Sequence, residues 1–333
     1  MKVLIVGAAG MIGRKLCDRL SRDGRLAGEA IEEAHLADIV APQPLPAPFR
    51  VDPEACDMAA SYVPPKLAAR RPDMIFLLAS IVSGEAEADF DKGYAINLRG
   101  TQAFFEAIRR EHILSGGAYR PRLIFTSSIA VFGAPFPAAI GDEFLAAPLT
   151  SYGTQKAICE LLLADYSRRG FFDGIGLRLP TICVRPGAPN KAASGFFSAI
   201  IREPLAGKEA ILPVGDDVRH WHASPRSAIG FLLHAAQLDT SLLGARRTIN
   251  LPGVSATVAE QIEALRNAAG EKAVRLIRRE PDETITRIVA GWPRNFEAAR
   301  ATSLGFHAEA DFSAIVQAYI EDDAPRGDPK AVG

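Results

Sequence analysis

The chain has 333 residues, of which 48% are hydrophobic and 23% charged, a balance typical of a globular protein with one large or two medium domains. The formal net charge of −1 gives no attraction to nucleic acid or to an anionic membrane. No stretch approaches ~18 uninterrupted apolar residues, and Gly7 breaks the first apolar run too early for a signal-peptide core. We therefore expect a cytoplasmic, soluble protein with no membrane or nucleic-acid partner.

The cysteines and histidines give no sign of a metal centre. His220 and His222 have an i, i+2 spacing, but no carboxylate or thiol accompanies them, so we predict no metal site. The four cysteines lie singly in apolar segments, as expected of buried thiols in a reducing compartment: Cys17, Cys56, Cys159 and Cys183.

The N-terminal segment predicts a buried parallel strand, a glycine turn and a helix. Residues 2–6 form an apolar run of strand length, and residues 14–20 have helical spacing. Glycines between them let the backbone approach a ligand, and the amides and positive end of the helix attract a pyrophosphate. Such turns also need glycine for steric reasons alone. The predicted dinucleotide contacts are Gly7, Gly10, Met11, Ile12 and Gly13.

Two acidic residues follow the next predicted strands. Asp38 lies in the strand at 35–40, where a carboxylate can accept hydrogen bonds from both ribose hydroxyls and would repel a 2′-phosphate. This position favours NAD over NADP, and the alternative is a solvated strand-end aspartate. Asp57 and Met58 follow a third strand and are candidates for the adenine, although a helix cap explains Asp57 equally well. Residues 42–48 are rich in proline and predict a surface loop.

The middle of the chain predicts two more strands that end in small polar residues. The strand at 73–80 ends beside the expected nicotinamide path, and residues 89–110 are helical and include Asn97. The strand at 122–126 runs into two serines, whose hydroxyls would point into the ligand crevice of an open α/β sheet or satisfy a local turn. The candidates at these strand ends are Leu78, Ala79, Ser80, Ser127 and Ser128.

A tyrosine and a lysine stand four residues apart at the start of an apolar helix. Ser151 is a plausible N-terminal cap, and helical spacing places Tyr152 and Lys156 on one face. An ammonium close to a phenol lowers its pKa, so the pair is suited to take a proton from an alcohol. The alternative is an incidental pair on a helix surface.

The remainder predicts a strand at 174–184, helices at 193–206, 226–238 and 257–269, and a strand at 247–251. We expect an α/β protein with a Rossmann-type doubly wound parallel sheet at 1–175. A smaller α/β substrate-binding domain at 176–322 would follow, with a chain that crosses back to the sheet. Residues 323–333, rich in proline, glycine and charge, predict a frayed tail.

Taken together, these motifs resemble the extended short-chain dehydrogenase/reductase family of NAD-dependent epimerases and dehydratases. The resemblance rests on the three-glycine turn, Asp38, the segment 126–133, Tyr152-x-x-x-Lys156 and the segments 178–180 and 304–306. The resemblance implies that Ser128 orients the substrate, Tyr152 is the acid/base and Lys156 binds the nicotinamide ribose and lowers the pKa of Tyr152. It also implies that Asn97 supports the site, that Pro180 and Ile182 contact the nicotinamide, and that the protein forms a homodimer through helices around Phe104 and Leu162.

A few positions narrow the range of reactions that we expect of the protein. Dehydratases of this family carry an Asp-Glu pair after the catalytic hydroxyl residue, whereas this chain has Ile129 and Ala130. The segments 82–85, 94–101 and 185–190 resemble family members that oxidise the 2-hydroxyl of D-erythronate, a four-carbon sugar acid, to 2-dehydro-D-erythronate with NAD. An acid substrate needs a cation, ideally a guanidinium. The expected substrate contacts are Ser83, Ser127, Ser128, Tyr152, Arg185 and Arg219.

Two alternatives stay open. A nucleotide-sugar 4-epimerase with tightly bound NAD shares the whole scaffold, and its diphosphate would meet Arg219. A cofactor-sensing regulatory protein would keep the fold without catalysis, but it would not need the complete set of Ser128, Tyr152 and Lys156.

Overall fold

The computed structural model describes residues 1–187 and 193–324. Its strands run in the following order: β1 (Lys2–Val6), β2 (Arg25–Leu26), β3 (Glu29–Ala30), β4 (Glu33–Asp38), β5 (Arg50–Ala55), β6 (Met74–Leu77), β7 (Arg122–Ser128), β8 (Asp173–Leu179), β9 (Thr181–Ile182), β10 (Ala210–Leu212), β11 (Arg219–Ala223), β12 (Thr248–Asn250), β13 (Val254–Thr257) and β14 (Ile277–Arg279).

Twelve α-helices are described: α1 (Met11–Asp23), α2 (Val63–Ala68), α3 (Ser83–Ala88), α4 (Phe90–Gly93), α5 (Thr101–Leu114), α6 (Ser151–Arg168), α7 (Gly195–Leu205), α8 (Pro225–Gln237), α9 (Val258–Val274), α10 (Glu283–Ala290), α11 (Ala299–Ser303) and α12 (Phe312–Asp322). A π-helical segment, Tyr94–Gly100, joins α4 to α5, and 3₁₀ turns span Ile129–Val131 and Thr240–Leu243. None of the helices in the described ranges is both long and apolar enough to cross a membrane.

Seven parallel strands form the central sheet in the order β12-β8-β7-β6-β1-β4-β5. The strands at its centre, β1 and β6, are almost entirely buried, which explains their continuous apolar sequences. After β1 the chain builds β4 and β5 on one side and then returns to place β6 on the other. The predicted doubly wound Rossmann-type sheet is confirmed, and its switch point lies between β1 and β6, where ligands bind in open α/β sheets.

Helices cover both faces of this sheet. Leu16 and Leu20 of α1 pack with Phe231 and Leu232 of α8 on one face. On the other face, α2, α5 and α6 contribute a second cluster that includes Phe105. Residues 225–250 therefore return to the sheet, as expected for a chain that crosses back.

The smaller C-terminal part is built around a three-stranded sheet, β13-β11-β9, and the parallel pair β10-β14. Helices α7, α9 and α12 supply most of its separate apolar core. The continuous strand predicted at 174–184 is split at Pro180, because β8 belongs to the central sheet and β9 to the smaller one. The predicted domain boundary after residue 175 therefore falls inside β8. Of the predicted tail, residues 325–333 lie outside the described residues.

The ends of the chain are tied together across the two parts. Lys15 of α1 donates to Asp323, just after α12, at 2.6 Å. Arg226 at the start of α8 pairs with Asp322 at 2.7 Å. The helix that begins at the glycine turn is thus anchored by residues from the opposite end of the sequence.

The two residues that marked the expected dimer helices lie mainly in the core. Phe104 is fully buried in the core, and Leu162 is partly buried. Leu161 is the apolar side chain of α6 that faces outward, with 73% of its surface exposed. A homodimer stays a prediction.

Candidate active site

Two adjoining cavities open at the carboxyl ends of β1, β6 and β7. One, of about 470 Å³, includes Gly7, Asp38, Asp57, Met58 and Ala79 in its lining. The other, of about 420 Å³, extends from the glycine turn past the catalytic candidates toward the smaller domain. Gly7, Gly10, Leu78, Ser80 and Ile81 line both cavities, so together they form one crevice. All predicted site residues line it except Asn97 and Arg219.

The glycine turn is built for close backbone approach. Gly7 has φ +97°, and a Cβ there would lie 2.6 Å from the Ala79 nitrogen. A Cβ on Gly13 would lie 2.1 Å from the Gly7 carbonyl oxygen, so glycine allows α1 to pack against the end of β1. Gly10 precedes α1 and offers no side chain to cap it. The amides of the first turn are therefore left for a ligand, and Met11 and Ile12 line the crevice.

The two acidic candidates are held by neighbouring backbone amides. Asp38 Oδ2 accepts a hydrogen bond from Ala9 at 2.9 Å, which fixes the carboxylate beside the glycine turn. Asp57 Oδ1 accepts from the Ala59 amide at 2.8 Å within a turn, and it does not cap a helix, because α2 begins only at Val63. A carboxylate beside uncapped helix amides matches the donor and acceptor needs of a dinucleotide.

Helix α6 carries the tyrosine and lysine, and its cap differs from the prediction. Thr150, not Ser151, is the N-cap: its hydroxyl accepts from the Gly153 amide at 3.1 Å. Both residues are good capping types, so sequence alone did not separate them. A Cβ on Gly153 would lie 2.1 Å from the Ala130 carbonyl oxygen. This glycine therefore lets the start of α6 approach the loop that follows Ser128.

Tyr152 and Ser128 meet inside the crevice. Burial raises the pKa of Tyr152 to about 12, and hydrogen bonds with the hydroxyls of Ser80 and Ser128 oppose that shift. Ser128 Oγ accepts from the Ala130 amide at 3.1 Å, so its own hydrogen can be donated to Tyr152 or to a ligand.

Lys156 is buried, with 2% of its surface exposed. Its ammonium donates to the Thr126 carbonyl at 2.8 Å, lies 4.8 Å from the centre of the Phe125 ring and 5.6 Å from that of Tyr152. Burial lowers the pKa of Lys156 to about 8, while the charges of Cys159 and Glu160 oppose the shift. Tyr152 and Lys156 do lie together, as the helical spacing predicts.

Asn97 lies behind the crevice wall rather than in it. Its Oδ1 accepts from Ser80 Oγ and from the Ile81 amide, both at 2.9 Å, and its Nδ2 donates to Gln155 at 2.8 Å. Since the Ser80 hydroxyl is close enough to Tyr152 to affect its pKa, Asn97 positions a neighbour of the tyrosine from one side and helix α6 from the other.

Ser127 contributes to the lining, but its hydroxyl is already engaged. It donates to Glu160 at 2.5 Å, and Glu160 pairs with Arg178 at 2.6 Å. Arg178 also donates to Asn250 at 3.1 Å. This buried network ties α6 to β8 and β12, so Ser127 has a structural partner that the sequence did not reveal.

The two predicted arginines have different surroundings. Arg185 lines the crevice, donates to Ser194 at 2.8 Å and has no carboxylate within ion-pair distance among residues 1–187 and 193–324. Burial lowers its pKa, and the charge of Arg202 adds to this shift. Arg219 does not line the crevice; it donates to the Ser255 carbonyl at 2.9 Å and pairs with Glu260 at 3.3 Å. The predicted role of Arg219 as a substrate contact therefore lacks support from its position.

Where the crevice meets the smaller domain, its lining also includes Thr181, His220 and Trp292. Thr181 lies between the predicted contacts Pro180 and Ile182, so its inclusion follows from the same strand end. In the sequence, the only signal at His220 is its i, i+2 spacing to His222, a spacing relevant to metal binding. In the described part of the chain, no three potential metal ligands cluster. Trp292 follows a helix in a segment without a recognisable motif.

Comparisons with known proteins identify the family. Residues 3–238 match the model of the NAD-dependent epimerase/dehydratase family. The chain therefore belongs to this family and is an NAD(H)-dependent oxidoreductase. The expectation of an enzyme, rather than a cofactor sensor without catalysis, is confirmed.

Individual relatives cover nearly the whole chain. A D-erythronate dehydrogenase of Cupriavidus necator is 44% identical, spanning 97% of this chain and 98% of the relative. One of Haemophilus influenzae is 41% identical, spanning 97% and 100%. Among solved structures, one described as a nucleoside-diphosphate-sugar epimerase from Agrobacterium tumefaciens is 62% identical, with a TM-score of 0.94 over 97% of this chain and 94% of that one.

The buried ammonium predicts a pH-dependent stability difference. Replacing Lys156 by Met removes the charge and keeps an aliphatic side chain. In the wild type the pKa is 10.5 unfolded and about 8 folded, so between these values the unfolded chain binds more protons. The stability of the wild type relative to K156M should therefore rise by up to ~3 kcal/mol as pH increases through this interval. Denaturant unfolding of both proteins on either side of the interval measures the difference; a constant difference contradicts the prediction.

Proposed function

We propose that the protein is an NAD-dependent dehydrogenase that oxidises the 2-hydroxyl of a small sugar acid, with D-erythronate as the substrate. The observation that carries the proposal is Arg185. It is a guanidinium at the substrate end of the crevice, and no described carboxylate pairs with it. A half-buried cation without a described counterion favours an anionic ligand, and a guanidinium matches a carboxylate in geometry. The names of two nearly full-length relatives support the same substrate class.

Each catalytic candidate has a role that follows from its contacts. Bound NAD supplies the hydride acceptor, and the protein supplies proton transfer and orientation. When the substrate is bound, Ser128 donates its hydrogen to the substrate oxygen. Tyr152 takes the hydroxyl proton, and its phenolate needs a nearby positive charge because burial raises its pKa to about 12. The Lys156 ammonium, 5.6 Å from the ring, provides that charge.

The cofactor would be held by the glycine turn and Asp38. The amides at the start of α1 face the pyrophosphate, and the Asp38 carboxylate accepts from the adenosine ribose. Because a second anion beside Asp38 is repelled, NAD is preferred to NADP. Pro180, Ile182 and Asn97 support the nicotinamide end, the first two from the lining and Asn97 through Ser80.

A nucleotide-sugar epimerase is the second candidate, favoured by the 62% identity to the structure described as such an enzyme. Its diphosphate would need cations in the crevice. Arg219, expected to serve that purpose, is instead paired with Glu260 outside the lining. Arg185 is then the guanidinium of the described lining, and one such group matches the single charge of a sugar acid better than the two charges of a diphosphate.

The decisive experiment compares the two substrate classes directly. Purified protein with NAD is given D-erythronate, other four-carbon sugar acids, UDP-glucose and UDP-galactose, and NADH is followed by its absorbance. The proposal expects NADH formation with D-erythronate. Tightly retained NAD with interconversion of the UDP-sugars, and no oxidation of acids, would replace it with the epimerase.

Replacing Tyr152 by Phe should lower turnover by ~10²–10⁴-fold, because the proton acceptor is lost, while NAD affinity stays near the wild-type value. Steady-state rates and NAD titration measure the two effects. Tyr166→Phe is the matched control, since this tyrosine of the same helix bonds to Glu106 outside the crevice. Full activity in Y152F would remove Tyr152 from the mechanism.

Replacing Arg185 by Met should raise KM for D-erythronate by ~10–100-fold, since a charge-assisted hydrogen bond to the carboxylate is lost. Arg219→Met is the control and should stay within about twofold of the wild type, because the groups it removes, an ion pair with Glu260 and a hydrogen bond to the Ser255 carbonyl, lie outside the crevice. Kinetics of both variants, with circular dichroism to verify folding, make the comparison. Equal losses in the two variants, or none in R185M, would contradict the role of Arg185.

A further inference from the structure

His220 is held in one protonation and tautomeric state. It has 2% of its surface exposed, and its ring stacks on Phe197 with 5.3 Å between centroids and 5° between planes. Nδ1 lies 2.8 Å from the Pro293 carbonyl oxygen. A carbonyl only accepts, so Nδ1 carries the hydrogen. Burial lowers the pKa of His220 to about 4, so near neutral pH the ring is uncharged and Nε2 is an acceptor.

This state of His220 dictates what Thr181 can do. Thr181 Oγ1 lies 2.6 Å from Nε2. Because Nε2 has no hydrogen to give, the Thr181 hydroxyl must be the donor. Its single hydrogen is thereby used, and the lone pairs of Oγ1 remain. Thr181 is partly exposed in the crevice, so a ligand meets a hydroxyl that only accepts.

The polar groups of the crevice therefore differ in whether they donate or accept hydrogen bonds. Arg185 only donates, and Ser128 has a hydrogen to donate. A carboxylate or ketone oxygen facing Thr181 would bring two acceptors together, whereas a hydroxyl facing it donates. The acceptor is also preorganised, because the chain from Pro293 through His220 fixes its direction.

We propose that Thr181, oriented by neutral His220, accepts a hydrogen bond from a substrate hydroxyl other than the one that is oxidised. It thereby selects polyhydroxylated acids over their deoxy counterparts. This inference rests on the proposed function and adds to it the residue that reads the rest of the sugar chain. Thr181 is a specificity residue, because it touches the substrate without taking part in the transfer of proton or hydride.

The test uses Thr181→Val, which keeps the shape and removes the hydroxyl, and Thr181→Ser, which restores the hydroxyl. For each protein, kcat/KM is measured with D-erythronate and with 2-hydroxybutyrate of the same configuration at carbon 2, which lacks the two distal hydroxyls. If the deoxy acid is not oxidised, its inhibition constant is used. For T181V, kcat/KM should fall about tenfold with D-erythronate and change little with the deoxy acid. T181S should recover the wild-type preference for D-erythronate over the deoxy acid.

The outcomes distinguish failure of the inference about Thr181 from failure of the proposed function. A wild type that oxidises D-erythronate, with a T181V variant that keeps the wild-type preference, overturns the inference alone. Equal losses of T181V on both acids also overturn it, because they indicate a structural role. A wild type silent on every acid overturns the proposed function and the inference with it.

Discussion

The Lys156 ammonium, buried between helix α6 and the sheet, is the constraint on which the candidate site depends. A charge removed from water is costly unless polar and π groups replace its hydration. Here the Thr126 carbonyl, the face of the Phe125 ring and the nearby Glu160 carboxylate supply that replacement. The first two come from β7, so the same strand that holds the charge also ends in Ser128. Charge, tyrosine and serine are therefore positioned by one strand and one helix.

Close backbone contacts make this arrangement compact. Gly153 brings the start of α6 against the Ala130 carbonyl, and Gly13 brings α1 against the end of β1. Both contacts replace a side chain with direct packing of backbone, which leaves little freedom at either end of the crevice. Asn97 then connects the loop after β6 to α6 through Ser80 and Gln155. These contacts fix the side of the crevice that the central sheet provides, while residues of the smaller domain line the other side.

The sequence predicted those features that depend on interactions between residues close in the chain. Continuous apolar runs marked β1 and β6, and helical spacing placed Tyr152 beside Lys156, because both depend on residues close in sequence. Contacts between distant segments were not accessible. Arg219 belongs to β11 of the small sheet and Arg185 to the loop after β9, so which of them faces the crevice depends on tertiary packing. The bond from Thr181 to His220 joins strands paired through tertiary structure. The choice of Thr150 over Ser151 as the cap was decided by how α6 meets its neighbours.

Strand β12 is synthesised long after β8, and this order affects folding during synthesis. It completes the edge of the central sheet beside β8, yet residues 180–247 must be synthesised between the two strands. At ~5–20 residues per second this interval lasts roughly 3–14 s. During that time β8 has an open edge whose amide and carbonyl groups lack their final partner, the kind of edge that pairs with other chains. The edge of β8 is therefore covered in the finished protein by a strand from the C-terminal half of the same chain.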